Sequence, residues 1–253
     1  MLMTRVMPCL LLRDGALVKT VKFKDPGYIG DPINAVRIYN EKEVDELIFL
    51  DITATVENKT PPFKVLSEIA SECFMPVAYG GGVRDLADIK TIFKLGIEKV
   101  AVNSYAVENP TFIREAADTF GSQSIMVAID AKQVSPGHYE IYTRGGRRAT
   151  GLDPISFAAR MQEMGAGELL LTSIDRDGTQ TGYDIDLIKQ VTSVVDIPVI
   201  ACGGAGKVSD FGQAVRAGGA SACAAGSMVV YFGRNRAVLI NFPKRKQLEE
   251  ELG

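Results

Sequence analysis

Residues 76–104 read PVAYGGGVRDLADIKTIFKLGIEKVAVNS, and residues 198–227 read PVIACGGAGKVSDFGQAVRAGGASACAAGS. The second stretch repeats the first at an offset of 122, from Pro76 to Pro198. At that offset Gly81 meets Gly203, Gly82 meets Gly204, Asp88 meets Asp210 and Gly96 meets Gly218. Glu46-Leu47 meets Glu168-Leu169 at the same spacing. Each copy starts with a short apolar run of strand length, turns on glycines into a helical pattern, and ends in a second short apolar run. A repeat on this scale describes a fold made of two similar halves. At an offset of 119, VMPCLLL (6–12) matches IMVAIDA (125–131), which puts Leu11 opposite Asp130.

Outward from the repeat, β-branched runs alternate with helical patterns along the whole chain, the signature of parallel β/α units. Strands are expected near 5–12, 46–52, 75–80, 98–103, 124–130, 167–172, 197–201 and 221–225. Helices are expected near 31–43, 59–72, 85–94, 109–118, 153–163, 184–194, 208–216 and 235–241. Asp31-Pro32, Asn109-Pro110 and Asp153-Pro154 each place a capping side chain before a first-turn proline. Eight strands with eight helices imply an α/β fold, a (β/α)8 barrel of two half-barrels, spanning 1–253 as one domain without a linker. Two longer excursions, 15–30 and 133–150, follow the first and fifth strands, and HYEIYTRGG in the second reads as a hairpin.

The 253 residues are 46% hydrophobic and 23% charged, with a formal net charge of −3. A sequence pI near 5.4 argues against a nucleic-acid-binding surface. No apolar run is long enough for a membrane span, and MLMTRVMPCLLLRDG only mimics a signal peptide, lacking a cleavage site. Cys9, Cys73, Cys202 and Cys223 lie in apolar runs without paired spacing and read as small buried hydrophobes in a reducing cytoplasm. His138 is the sole histidine and sits in the turn-like SPGHYE, which disfavours both a Cys–His nucleophile and a His-based zinc site. No cofactor or metal is called for.

Barrel chemistry sits at the C-terminal ends of the strands. Gly80-Gly81-Gly82 ends the third strand, Asn103-Ser104 the fourth, Gly203-Gly204 the seventh and Gly226-Ser227 the eighth. Glycine turns that lead into helices present backbone N–H groups to an anion. The same device twice, at matched positions, predicts a small substrate with a phosphate at each end. Asp51, Asp130, Asp175 and Asp177 end the second, fifth and sixth strands. For Asp130 and Asp177 a catalytic or substrate-orienting role is favoured; Asp51 and Asp175 fit loop-orienting acceptors of backbone N–H bonds. Lys19, on the first long loop, is placed either to close over substrate charge or simply to be solvated.

At the other end of the barrel, Arg5, Glu46, Lys99 and Glu168 begin the first, second, fourth and sixth strands. Facing inward, they make a ring of alternating charge: a structural plug, or a gate to a channel through the barrel.

Together these residues resemble the cyclase subunit of imidazole glycerol phosphate synthase, along the chain to about residue 228. The matching segments are DELIFLDIT, GGGVRD, VNS, FGSQSIMVAIDAK, LLLTSIDRDGTQTGYD and PVIACGGAG. The resemblance implies a glutaminase subunit docked on the N-terminal face, with ammonia entering through the gate Arg5, Glu46, Lys99 and Glu168. It implies a bisphosphorylated ribulosyl aminoimidazole substrate held by Gly82, Asn103, Ser104, Asp177, Gly178, Gly204, Gly226 and Ser227, with Lys19 and Asp51 also in the mouth. The family's acid and base are two aspartates, at the ends of the first and fifth strands. Asp130 is present, but the partner position in Pro8-Cys9-Leu10-Leu11-Leu12 is Leu11. NEKEVDEL and the ending VVYFGRNRAVLINFPKR depart from the family too. These departures look like the paralogous branch found in surface-sugar biosynthesis clusters, where ammonia serves a third, sugar-modifying protein in amidination. Histidine-pathway cyclase activity and a non-catalytic phosphate-binding scaffold are the alternatives.

Overall fold

The computed structural model describes residues 4–233 and 235–253. Eight parallel strands form the barrel: β1 (Arg5–Arg13), β2 (Leu47–Asp51), β3 (Val77–Gly80), β4 (Lys99–Val102), β5 (Ile125–Ser135), β6 (Glu168–Ser173), β7 (Val199–Cys202) and β8 (Ala222–Ala225). Each pairs in parallel with the next, and β8 closes on β1 through Arg5↔Ala222 to Pro8↔Ala225. The chain therefore forms the expected closed (β/α)8 barrel.

Alternation along the strands sorts side chains into two cores. One lies between the strands and the surrounding helices and includes Leu10, Phe49, Tyr79, Val127 and Phe211. The other fills the barrel axis with Met7, Cys9, Ile48, Ala78, Ala101, Met126, Ala128, Leu170, Ile200, Ala222 and Ala224. Five of these eleven are alanines, so the axis is filled thinly by small side chains as well as by Met, Leu and Ile.

Asp31 and Asp153 cap helices Pro32–Glu41 and Pro154–Glu163 as expected. Asn109 does not cap: the helix starts at Thr111, and the Asn109 side chain accepts from the Thr111 hydroxyl at 2.6 Å instead of from a backbone N–H. The helix expected from 59 begins at Phe63, because Pro61-Pro62 precedes it. The helix expected at 235–241 is absent. Tyr231–Phe232 and Ala237–Val238 pair there as a small hairpin, and the final helix is Arg245–Leu252, after Pro243. That helix packs Leu248 into the core and ties Glu251 to Arg216 of helix Val208–Arg216, which closes the outer ring.

Both long excursions are hairpins over the mouth. β1 runs on into Ala16–Val21, which pairs with Lys24–Gly30. β5 runs on into His138–Thr143. Among the described residues no helix is long and apolar enough to cross a membrane.

Candidate functional site

At the N-terminal end, Arg5, Glu46, Lys99 and Glu168 form a closed ring. Arg5 Nη1 donates to Glu46 Oε2 at 2.7 Å and Nη2 donates to Glu168 Oε1. Lys99 Nζ donates to Glu46 Oε2 at 3.1 Å and to Glu168 Oε2 at 2.9 Å. The side chains of Glu46 and Glu168 are buried, whereas that of Arg5 is 32% exposed and faces the outside. Glu46 Oε1 is buried and, among the described residues, has no hydrogen-bond partner. A buried carboxylate oxygen left open is costly unless something polar visits it.

At the C-terminal end one large cavity is lined by both halves of the repeat. The half-barrels share positive φ at the paired glycines and one conformation before the paired serines. Gly81 and Gly82 hold φ of 133° and 71°, Gly203 and Gly204 hold 86° and 116°, and a Cβ at Gly204 would lie 2.2 Å from the Gly182 carbonyl oxygen. Glycine is required at these turns. Asn103 (φ −114°, ψ −88°) and Gly226 (φ −108°, ψ −84°) share one conformation, each just before a one-turn helix that opens with Ser104 or Ser227.

In the first half the Gly82 N–H is already donated to Thr55 Oγ1 at 3.2 Å, and Ser104 Oγ donates to Asn103 Oδ1 and accepts from the Arg144 N–H. In the second half Gly204, Gly226 and Ser227 line the cavity with Lys19. Lys19 is only 5% exposed, and among the described residues its side chain makes no hydrogen bond or ion pair. Its ammonium packs on Gly226 so closely that a Cβ there would lie 2.2 Å away. Lys19 is thus a buried cation of the mouth, not a solvated loop lysine.

The four carboxylates differ in their partners. Asp51 Oδ1 accepts from Thr53 N, Thr53 Oγ1 and Ala54 N, which fixes the loop after β2. Asp175 Oδ2 accepts from Gln133 N at 2.8 Å. Asp130 lines the cavity and accepts from Asn103 Nδ2 at 3.2 Å. Burial, with the nearby Asp177 charge, pushes its carboxyl up to about 7. Asp130 is then poised to hold or release a proton near neutrality. Asp177 Oδ2 accepts from Thr20 Oγ1 at 2.8 Å and from the Phe23 N–H, and its carbonyl accepts from Lys22 N. Beside it, a Cβ at Gly178 would lie 2.3 Å from the Thr20 carbonyl oxygen. Asp177 and Gly178 therefore anchor the first hairpin while still lining the cavity.

Leu11 also lines the cavity and is 8% exposed. Sequence reasoning missed Arg144 and Arg147, which the second hairpin brings to the mouth. The only local signal was the run RGGRR at 144–148, on an excursion already assigned to that end. Of the cysteines read as small buried hydrophobes, Cys9 and Cys223 are buried and Cys73 and Cys202 half-buried, and Cys9 and Cys202 also line the cavity floor. The neighbouring Cys9 thiol and the Lys19 ammonium lower the Cys202 pKa, while contact with Cys202 and burial raise that of Cys9. Among the described residues, no group of three or more His, Cys, Asp or Glu side chains is placed to hold a metal ion. His138 is exposed in its hairpin, away from the cavity lining.

Residues 5–235 match the family described as histidine biosynthesis protein. The chain is 49% identical to a Pseudomonas aeruginosa protein with the provisional name imidazole glycerol phosphate synthase subunit hisF2, over 98% of this chain and 99% of that protein. A Leptospira interrogans protein with the provisional name imidazole glycerol phosphate synthase subunit HisF is 45% identical over 98% of each chain. Its Leptospira borgpetersenii counterpart is 46% identical over 96% of each.

Proposed function

The chain belongs to the histidine biosynthesis protein family, in its HisF-type group, and from that premise we propose that it is the ammonia-receiving subunit of a glutamine amidotransferase pair. A separate, HisH-like glutaminase docks on the N-terminal face and releases ammonia at the ring of Arg5, Glu46, Lys99 and Glu168. The observation that carries this reading is the ring itself, with Glu46 Oε1 buried and unpartnered beneath it. A polar guest such as ammonia or ammonium matches that oxygen. Beyond it the axis is lined by Met7, Ile48, Ala78 and Leu170, surroundings that favour neutral ammonia over a charged ion.

In the mouth, the paired glycine turns with Ser104 and Ser227 hold a substrate phosphorylated at both ends, and Lys19 faces the second phosphate. Asp130 is the proton-transfer group, and Asp177 orients substrate while fixing the first hairpin. Leu11 stands where a second proton-transfer group is needed, so ring-closing chemistry is weak. The reading therefore favours delivery of ammonia to amidination of a surface-polysaccharide sugar through a third protein in the cytoplasm. The reading of true imidazole glycerol phosphate synthesis is favoured by one observation, Asp130 lining the cavity with Asn103 Nδ2 donating to it.

The docking half is tested by co-purification with a HisH-like glutaminase. Charge reversal at Glu98 and Lys99 abolishes the complex if the N-terminal face is the dock. Unchanged binding, or binding lost only on substitution in the mouth, contradicts it.

A further inference from the structure

The hairpin that replaces the expected helix at 235–241 brings a second cation close to Ser227, which lines the mouth. Arg236 lies in its turn, just before the return strand Ala237–Val238, and its Nη2 approaches Ser227 Oγ at 3.4 Å. Its guanidinium is held over the Tyr231 ring, 4.6 Å from the centroid. Stacking of this kind fixes a long side chain before any ligand arrives. Among the described residues Arg236 makes no ion pair. On the other side of the same turn lies Lys19, 5% exposed, against Gly226 and likewise without a carboxylate partner. A buried ammonium without an ion-pair partner is costly, and with the half-buried Arg236 on the other side of the same serine it leaves a positive field to be neutralised.

We propose that Arg236 is a phosphate-contacting, specificity-determining residue, and that it closes with Lys19 a two-cation clamp on a phosphate monoester at Ser227. The proposal rests on the reading of the mouth as a phosphate site and adds to it a residue from outside the repeat. A guanidinium presents two parallel donors that fit phosphate oxygens, whereas the Lys19 ammonium acts as a point charge. The clamp thereby makes the two ends of the mouth unequal. The Ser227 end takes a dianionic group held from both sides. The Ser104 end has its serine hydroxyl already engaged by Asn103 and the Arg144 N–H.

The test is titration of the full chain with inorganic phosphate, read from the backbone amide signals of Ser227 and Ser104. Arg236→Ala weakens binding at Ser227 about tenfold or more, as expected for a lost charge-assisted hydrogen bond, and leaves Ser104 unchanged. Arg236→Lys restores part of the loss. If Arg236→Ala binds phosphate at Ser227 as the wild type does, the clamp is wrong and the phosphate reading stands. If wild-type protein shows no shift at either serine in high phosphate, the phosphate reading fails and the clamp with it.

Discussion

Leu11 and Asp130 occupy equivalent places in the two half-barrels. Leu11 pairs with Leu50 of the next barrel strand and with Val18 of the hairpin that extends β1. Asp130 pairs with Thr172 of the next barrel strand and with Tyr142 of the hairpin that extends β5. Both line the same cavity. One half-barrel thus presents an ionisable group where the other presents an isobutyl group.

The Asp130 carboxyl sets a pH dependence of stability. With its pKa near 7 when folded and in the ordinary carboxylate range when unfolded, the folded state holds a proton that the unfolded chain has already lost. Stability therefore falls as pH rises from about 4 to about 7. Asp130→Asn flattens this slope, with a gain of about 1–2 kcal/mol at about pH 8 and almost none at about pH 4, discounted because the mouth is open to water. Urea denaturation of both proteins at the two pH values measures it.

The charged ring predicts an asymmetry among its members. Lys99→Met leaves two buried carboxylates facing each other with only Arg5 between them, and costs about 2–4 kcal/mol. Arg5→Met costs less, because Arg5 is the most exposed member. Equal losses for the two variants in chemical denaturation contradict a buried inner side and an open outer side.

Gly226→Ala tests the placement of Lys19. The new methyl meets the Lys19 ammonium, the end of a flexible side chain, so the lysine swings away and the fold survives. The expected result is a melting temperature close to wild type with phosphate affinity at Ser227 lowered about tenfold.

Much of this was legible in the sequence. The strand runs and the repeat are local patterns, and the glycine pairs at 81–82 and 203–204 carry their positive φ in their own residue type. The ring of Arg5, Glu46, Lys99 and Glu168 followed from register alone. The last helix was misread because residues 237–240 are apolar, while Arg245–Leu252 is mostly charged, buries only Leu248 and depends on i,i+4 pairs such as Arg245–Glu249 and on Arg216. Arg144 reaches the mouth, and Arg236 reaches Ser227, through hairpins that follow the strands. Cys9 and Cys202 meet at its floor from β1 and β7, which are distant in the chain. No local pattern encodes such contacts.

The most direct test of the account is turnover of the ribulosyl aminoimidazole substrate with free ammonia, by wild type and by Leu11→Asp. The account predicts wild-type turnover about 10²- to 10⁴-fold below that of Leu11→Asp, the range for one general acid–base group. Wild-type turnover equal to or above that of the variant would contradict it, and would return this chain to imidazole glycerol phosphate synthesis with another group in the role that Leu11 leaves empty.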